Sequence, residues 1–384
     1  MNTQNTPLHI RLWHRNFWLM VVANLLLSTS VTMLIPTLPL RMLYVDGLSV
    51  VETGQAMGVF ALGLFLLGGS CSFLVQHYRR NLVCVWATIA LALTIVVPYY
   101  WQVMPFWSML LLRLLQGATF GLAQMVLSST LIIDTCESSQ RTEANHSATW
   151  FGRFSLSLGP LAGLLLYQQL GFDMVVLASL CCLAVTIVLI LMVHFPFRVP
   201  EDHLHLWSLD RFFLTSGWLL FANLLLISVS LGLVLSLALD VQFYGLMMIG
   251  FLLALLAQSI VFRDADLKSE VVSGLLLTGA ALLVLYFSPT SPLHSPLLGL
   301  GIGLVGSRFL LFFIKLSRHC QRGTSQSTFL LGWESGLAIG VGLGYAVFNQ
   351  QWPAVLIMSL LLTVLALLLY VSVTHGWFIH HKNR

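Results

Sequence analysis

The stretch FWLMVVANLLLSTSVTMLIPTLPL, Phe17–Leu40, contains no charged side chain from end to end. About 20 consecutive apolar residues, rising 1.5 Å each, cross the hydrocarbon core of a bilayer as a helix. The segment therefore reads as a membrane span. It is too long for the core of a signal peptide, and further apolar spans follow, so it is expected to stay in the mature protein.

Outward from it, charge acts as punctuation. Spans are expected near 17–40, 53–76, 82–100, 106–132, 147–170 and 174–195. After a polar break from Pro196 to about Asp210, a second set follows near 213–236, 243–262, 271–288, 295–316, 327–348 and 353–374. This divides the chain into a first bundle (1–195), a cytoplasmic linker (196–212) and a second bundle with a short tail (213–384). The expected fold class is an all-α membrane protein, with twelve transmembrane helices in two pseudo-symmetric six-helix bundles.

Composition agrees. Only 8% of the 384 residues are charged, 58% are hydrophobic and mean hydropathy is +0.90. A soluble domain needs about a quarter of its residues charged to face water. A β-barrel would show alternating segments of roughly ten residues instead of these long runs. The six cysteines lack zinc-ligand spacing and read as packing residues. His203, His205, His380 and His381 lack the carboxylate or cysteine that would complete a metal set, so no metal and no cofactor are expected. No GxxxxGK[ST] occurs, which argues against direct drive by ATP.

Lysine and arginine set the orientation. With the N-terminus in the cytoplasm, inside segments hold Arg11, Arg15, Arg79, Arg80, Arg141, Arg198, Arg211, Arg263, Lys268, Lys315, Arg318, Arg322, Lys382 and Arg384. Arg41 alone falls in an outside loop. Both termini are expected inside a cytoplasmic (inner) membrane, and the +4 net charge reports topology and anionic lipid, with no nucleic-acid partner.

A repeat links the halves. Ala23-Asn24-Leu-Leu-Leu in span 1 recurs as Ala222-Asn223-Leu-Leu-Leu in span 7. Gln140-Arg141, followed by Gly152 and Ser155, recurs as Gln321-Arg322, followed by Gly332 and Ser335. Repeats of the same orientation imply two bundles about an axis along the membrane normal, with a site between them.

Ionisable groups inside a bilayer are costly and mark function or pairing. Arg113, Arg153, Arg308 and Glu334 are four such groups. Arg308 and Glu334 fall at similar depths in consecutive spans, so a pair, or a partner shared across the cavity, is expected. Glu334 is then either a proton carrier or half of a static ion pair. Arg113 and Gln116 share a helix face beside Gly117, which serves either a substrate or an interhelix hydrogen-bond node. Span 5 carries Ser155-Leu-Ser157-Leu-Gly159-Pro160-Leu-Ala-Gly163, a bend with close packing suited to a gate.

These residues resemble the major facilitator superfamily over nearly the whole chain. Arg113-Leu-Leu-Gln116-Gly117 looks like the family's RxxQG motif, which implies a part in proton coupling. Ser157–Gly163 is similar to the antiporter motif GxxxGPxxGG, with Ser155 and Leu164 in place of its first and last glycines. Phe73–Asn81, FLVQHYRRN, stands where the family reads GxLaDRxGRR. Gln76 there replaces the aspartate, His77 the first basic residue and Arg79 the glycine. Asp134 is the expected substitute partner for Arg79 or Arg80; simple positive-inside charge is the alternative.

The resemblance implies a secondary transporter and no enzyme, of the drug- or sugar-efflux type. Export of a small amphipathic molecule by exchange with protons is expected, and proton symport into the cell is the alternative. A membrane enzyme would need a clustered nucleophile, acid–base pair or metal set at an interface, and none is evident in the sequence. Substrate or cavity residues are expected to be Asn24, Arg113, Gln116, Gln124, Asn223, Arg308 and Glu334, with Glu334 and Arg113 coupling protons. Gln258 is a weaker candidate. Gly117, Gly159, Pro160, Gly163, Gln76, Arg79, Arg80 and Asp134 are expected in gating. Expected partners are the small-molecule substrate, protons and the lipid bilayer, with the chain acting as a monomer.

Overall fold

A computed structural model describes residues 12–195, 205–262 and 266–383. Arg11, Arg198, Arg263, Arg384, His203 and the linker segment 196–204 lie outside the described residues. The rest forms twelve long helices. They are α1 (Arg15–Tyr44), α2 (Val50–His77), α3 (Arg80–Tyr100), α4 (Phe106–Asp134), α5 (Arg141–Leu170) and α6 (Phe172–Leu191), then α7 (Thr215–Leu235), α8 (Val241–Ile260), α9 (Leu267–Phe287), α10 (His294–Leu316), α11 (Arg322–Ala346) and α12 (Trp352–His381). Eleven are long and apolar enough to cross a membrane. The remaining helix, α5, opens on Arg141, Glu143, Asn145 and His146, which dilute its apolar character. Leu62, Leu93, Leu111, Val188, Leu256, Leu276 and Leu361 stand exposed along the helices. Lipid is the solvent that accepts such side chains. The chain is a multi-pass membrane protein.

Packing repeats helix for helix. In the first six, α1 packs on α5 and α6, α4 on α2 and α3, and α3 on α6. In the second six, α7 packs on α11 and α12, α10 on α8 and α9, and α9 on α12. The halves meet through α2 with α11 and α5 with α8, which the same symmetry exchanges. Glycines set the closest crossings. A Cβ on Gly117 of α4 would overlap the Phe60 carbonyl of α2, and one on Gly299 of α10 would overlap the Met247 carbonyl of α8. The repeated dipeptides also take equivalent places, since Gln140 precedes the Arg141 that opens α5 and Gln321 precedes the Arg322 that opens α11.

Several helix ends differ from the sequence expectation. Helix α5 starts at Arg141, ahead of 147, and α9 at Leu267, ahead of 271. Polar residues there continue the helix, because one face, with Asn145 in α5 and Glu270 in α9, is covered by protein. Arg41 is also not a loop residue. It lies buried in the last turn of α1, where Nη2 donates to the Trp101 carbonyl at 2.7 Å and Nε meets Asp46 Oδ2 at 3.4 Å. The end of the linker packs on the first half. The Ser208 amide donates to the Gly69 carbonyl, and the rings of Trp207 and Phe212 cover Gly69 and Gly68 of α2.

The hydrogen-bond ladder of α1 breaks at Met33, between Thr32 and Leu34, while the backbone stays helical. Pro36 has no N–H to offer the Thr32 carbonyl. Helix α5 fills the break: Gly159 faces Thr32, Gly163 faces the Met33 carbonyl, and Thr32 Oγ1 donates to the Ser155 carbonyl at 2.8 Å.

Candidate transport cavity

A small cavity of about 20 Å³ lies between the halves, lined by Asn24, Ser28, Gln124, Thr149, Gly152, Arg153, Gln326, Phe329, Leu330, Trp333 and Glu334. Helices α1, α4, α5 and α11 supply these side chains. The volume is about that of one water molecule. Contacts between the halves lie on both sides of it. Toward the face of the termini, Gly323 of α11 abuts the Ser129 carbonyl of α4, and Arg211 Nη1 donates to Thr130 Oγ1 at 3.2 Å. Toward the opposite face, Gly342 of α11 abuts Gly54 and Gly58 of α2, and Ser157 Oγ of α5 donates to the Tyr244 carbonyl of α8.

Glu334 lies near the middle of α11, and its Oε1 accepts from Gln124 Nε2 at 3.3 Å. No cation pairs with it among the described residues. Arg153, near the middle of α5, is buried under three rings, with its guanidinium carbon 5.1 Å from Trp150, 5.6 Å from Phe329 and 5.7 Å from Trp333. Its Nη1 reaches the Gly303 carbonyl at a long 3.4 Å, while Nε and Nη2 have no partner among the described residues. Gln326 Nε2 of α11 donates to Thr149 Oγ1 of α5 at 2.8 Å, and Asn24 Nδ2 of α1 donates to the Ala148 carbonyl at 3.0 Å. The cavity thus holds one cation and one carboxyl that do not meet.

Asn24, Gln124 and Glu334 converge there, and the other expected cavity residues do not. Arg308 does not pair with Glu334. Its Nε meets Glu270 Oε2 of α9, its Nη2 donates to the Phe262 carbonyl at 3.2 Å, and Gln258 Nε2 donates to Glu270 Oε1 at 2.6 Å. The long arginine stem carries its head along α10 toward the face of the termini, where α9 already supplies a carboxylate. Arg113 stays inside the first bundle. Its Nη1 donates to Gln116 Oε1 at 2.8 Å, its guanidinium lies 4.6 Å from the Phe60 ring, and Gln116 Nε2 donates to the Thr94 carbonyl at 3.2 Å. Asn223 ties α7 to α12 through the Ala366 carbonyl and Thr374 Oγ1, each at 3.2 Å.

Of the expected gating residues, Arg80 at the start of α3 donates to Asp134 Oδ2 at the end of α4. Gln76 lies half-buried in the last turn of α2, next to the exposed Arg79. Gly117 packs α4 on α2, and Gly159 and Gly163, flanking Pro160, pack α5 on the break in α1.

The family model for the Major Facilitator Superfamily matches residues 20–320. The chain belongs to this superfamily. Solved superfamily-like carriers agree in fold. The human organic anion transporter MFSD10 (TETRAN) is 17% identical, with a TM-score of 0.68 over 92% of this chain and 98% of that one. The nucleoside transporter NupG is 14% identical, with a TM-score of 0.63 over 93% and 100%. A bacterial homologue of the iron transporter ferroportin is 17% identical, with a TM-score of 0.63 over 95% and 99%. No curated protein matches the sequence. The protein is a major facilitator superfamily transporter, and that class places its substrate as a small molecule bound within the bilayer.

Proposed function

We propose that this transporter is a proton-coupled exporter of a small amphipathic molecule or metabolite, acting as a monomer by alternating access. Its termini then face the cytoplasm of the inner membrane, as the positive-inside pattern favours. The halves 1–195 and 213–384 rock about the cavity, joined by the linker 196–212.

Glu334 carries the proposal. It is a carboxyl at the cavity between the halves, held by one amide and paired with no cation among the described residues. A carboxyl so placed can exchange a proton with whichever side is open. Arg113 is assigned its part through α4: it holds α2, α3 and α4 together on the helix that presents Gln124 to Glu334. Gly159, Pro160 and Gly163 serve as the pivot against the break in α1. Arg80 with Asp134, beside Gln76 and Arg79, serves as the latch at the face of the termini. Export rests on the Gly159-Pro160-x-x-Gly163 core. Symport into the cell is the second reading, favoured by Ser155 and Leu164 where the antiporter motif has glycines.

Everted vesicles energised to an acid interior test this. Lipophilic cations, organic anions, zwitterions and sugars are added in turn while a quenched dye follows internal pH. Dissipation by one class, lost in Glu334→Gln, is the expected result. No response from abundant, folded protein overturns proton-coupled export.

A further inference from the structure

We propose that the cavity takes an amphoteric ligand, with an oxyanion such as a carboxylate bound by Arg153 and a cationic amine bound by Glu334. The inference rests on the exporter reading and names the substrate class of the same site.

Arg153 and Glu334 come from opposite halves, line one cavity and do not pair. The guanidinium has two nitrogens, Nε and Nη2, without an acceptor, and its third contact is long. Two parallel N–H groups are what a carboxylate or similar oxyanion engages side by side. The three rings around the guanidinium, Trp150, Phe329 and Trp333, exclude water from that bond, and Phe329 and Trp333, which line the cavity, offer apolar surface to the body of the ligand.

Charge complementarity selects among ligand classes. A simple anion satisfies Arg153 and sets a second negative charge in the cavity of Glu334. A simple cation satisfies Glu334 and sets a second positive charge in the cavity of Arg153. A molecule bearing both charges answers both groups, and because these belong to different halves it draws the halves together only when both ends are engaged. When an ammonium takes the place of the proton on Glu334, one proton leaves for each ligand bound, as exchange requires. The 20 Å³ void admits such a ligand only as the halves part.

The test uses purified full-length protein and amino acids and dipeptides with apolar side chains, from leucine to diphenylalanine. Each is presented free, C-terminally amidated and N-acetylated. Thermal stabilisation reads binding, and proton movement in proteoliposomes reads transport. Free forms are expected to stabilise the protein at concentrations at least about tenfold below either blocked form, the equivalent of roughly 1.4 kcal/mol. Arg153→Gln should erase the preference for the free form over the amide, and Glu334→Gln the preference over the N-acetyl form. If Arg153→Gln does not fold, Arg153→Lys should weaken the same preference. Equal binding of either blocked form, or no stabilisation by any free form, overturns the proposal. Binding of free forms without proton movement keeps this site and overturns the exporter reading. Proton movement driven by amides and untouched by Arg153→Gln does the reverse.

Discussion

Arg153 of α5 and Glu334 of α11 follow the arginines that open their helices, Arg141 and Arg322, at the same interval, and they line the same cavity. Counted from those arginines, equivalent positions carry opposite charges. The neighbours repeat as well: Glu334 meets Gln124 of α4, while Arg153 lies against Gly303 and Gly306 of α10. A duplicated architecture has become an electrostatically polar site.

Substituting Glu334 by glutamine should separate coupling from movement. Gradient-driven transport is expected to fall at least about tenfold, a change of roughly 1.4 kcal/mol or more. Exchange of labelled for unlabelled substrate at equal pH should persist once substrate is raised about tenfold to offset the lost amine contact. Counterflow assays read both, and full gradient-driven transport in the variant would remove Glu334 from the coupling step.

Breaking the Arg308–Glu270 pair should damage stability more than transport chemistry. Glu270 is fully buried and Arg308 is partly exposed. Glu270→Ala leaves a half-buried guanidinium without its carboxylate and should cost about 1–3 kcal/mol. The double variant Glu270→Leu, Arg308→Leu should recover most of that. Thermal or denaturant unfolding in detergent measures it, and an additive loss in the double variant would contradict the pairing.

The latch at Arg80 and Asp134 is partly open to solvent, so each single loss should cost only about 0.2–1 kcal/mol of stability. Transport should nevertheless fall in Arg80→Asp and in Asp134→Arg. The swapped double variant should recover at least half of it. Rates that worsen additively would mark the contact as passive.

Gly342 faces the backbone of Gly54 and Gly58, which cannot move aside as a side chain does. Gly342→Leu should wedge α2 from α11 and hold open the face away from the termini. Pulsed EPR between labels on the exposed Val51 and Val347 should report a longer distance, with transport suppressed. An unchanged distance would mean that the crossing relaxes without opening.

Orientation can be read from cysteine chemistry. Cys320 is exposed in the connection between α10 and α11. With the other cysteines replaced, a membrane-impermeant maleimide should label it in everted vesicles and not in right-side-out ones. Burial pushes the thiol of Cys136, in the α4–α5 connection, above its ordinary range. The thiolate is the reactive form, so Cys136 as the sole cysteine should label more slowly at neutral pH.

Long uncharged runs such as Phe17–Leu40 made the helices legible, because a bilayer leaves the backbone few other solutions. The Asn24/Asn223 and Arg141/Arg322 repeats likewise exposed the two-half plan. The site was harder to read. Asn24 and Asn223 match in sequence and depth, yet one faces the cavity and the other ties α7 to α12. Helical periodicity separates such faces only when one is polar, and these spans are apolar nearly all round. Glu270 was missed as the partner of Arg308 because an early start of span 9 was not expected. Gln326 fell just ahead of the expected start of span 11 for the same reason. Arg153 stood out as an intramembrane charge, but its surroundings of Trp150, Phe329 and Trp333 come from two helices and are not visible along one.

The two unanswered nitrogens of Arg153 bear on the tempo of exchange. A carrier that trades cargo for protons must return through its closed form with the proton and no cargo. With the void shut to about 20 Å³, the empty form keeps a buried guanidinium short of acceptors. Each such buried donor disfavours a state by about 1–3 kcal/mol, roughly 5- to 150-fold in population. The cargo-free return, on which exchange depends, is thereby made the slow limb of the cycle, and Arg153 sets its pace.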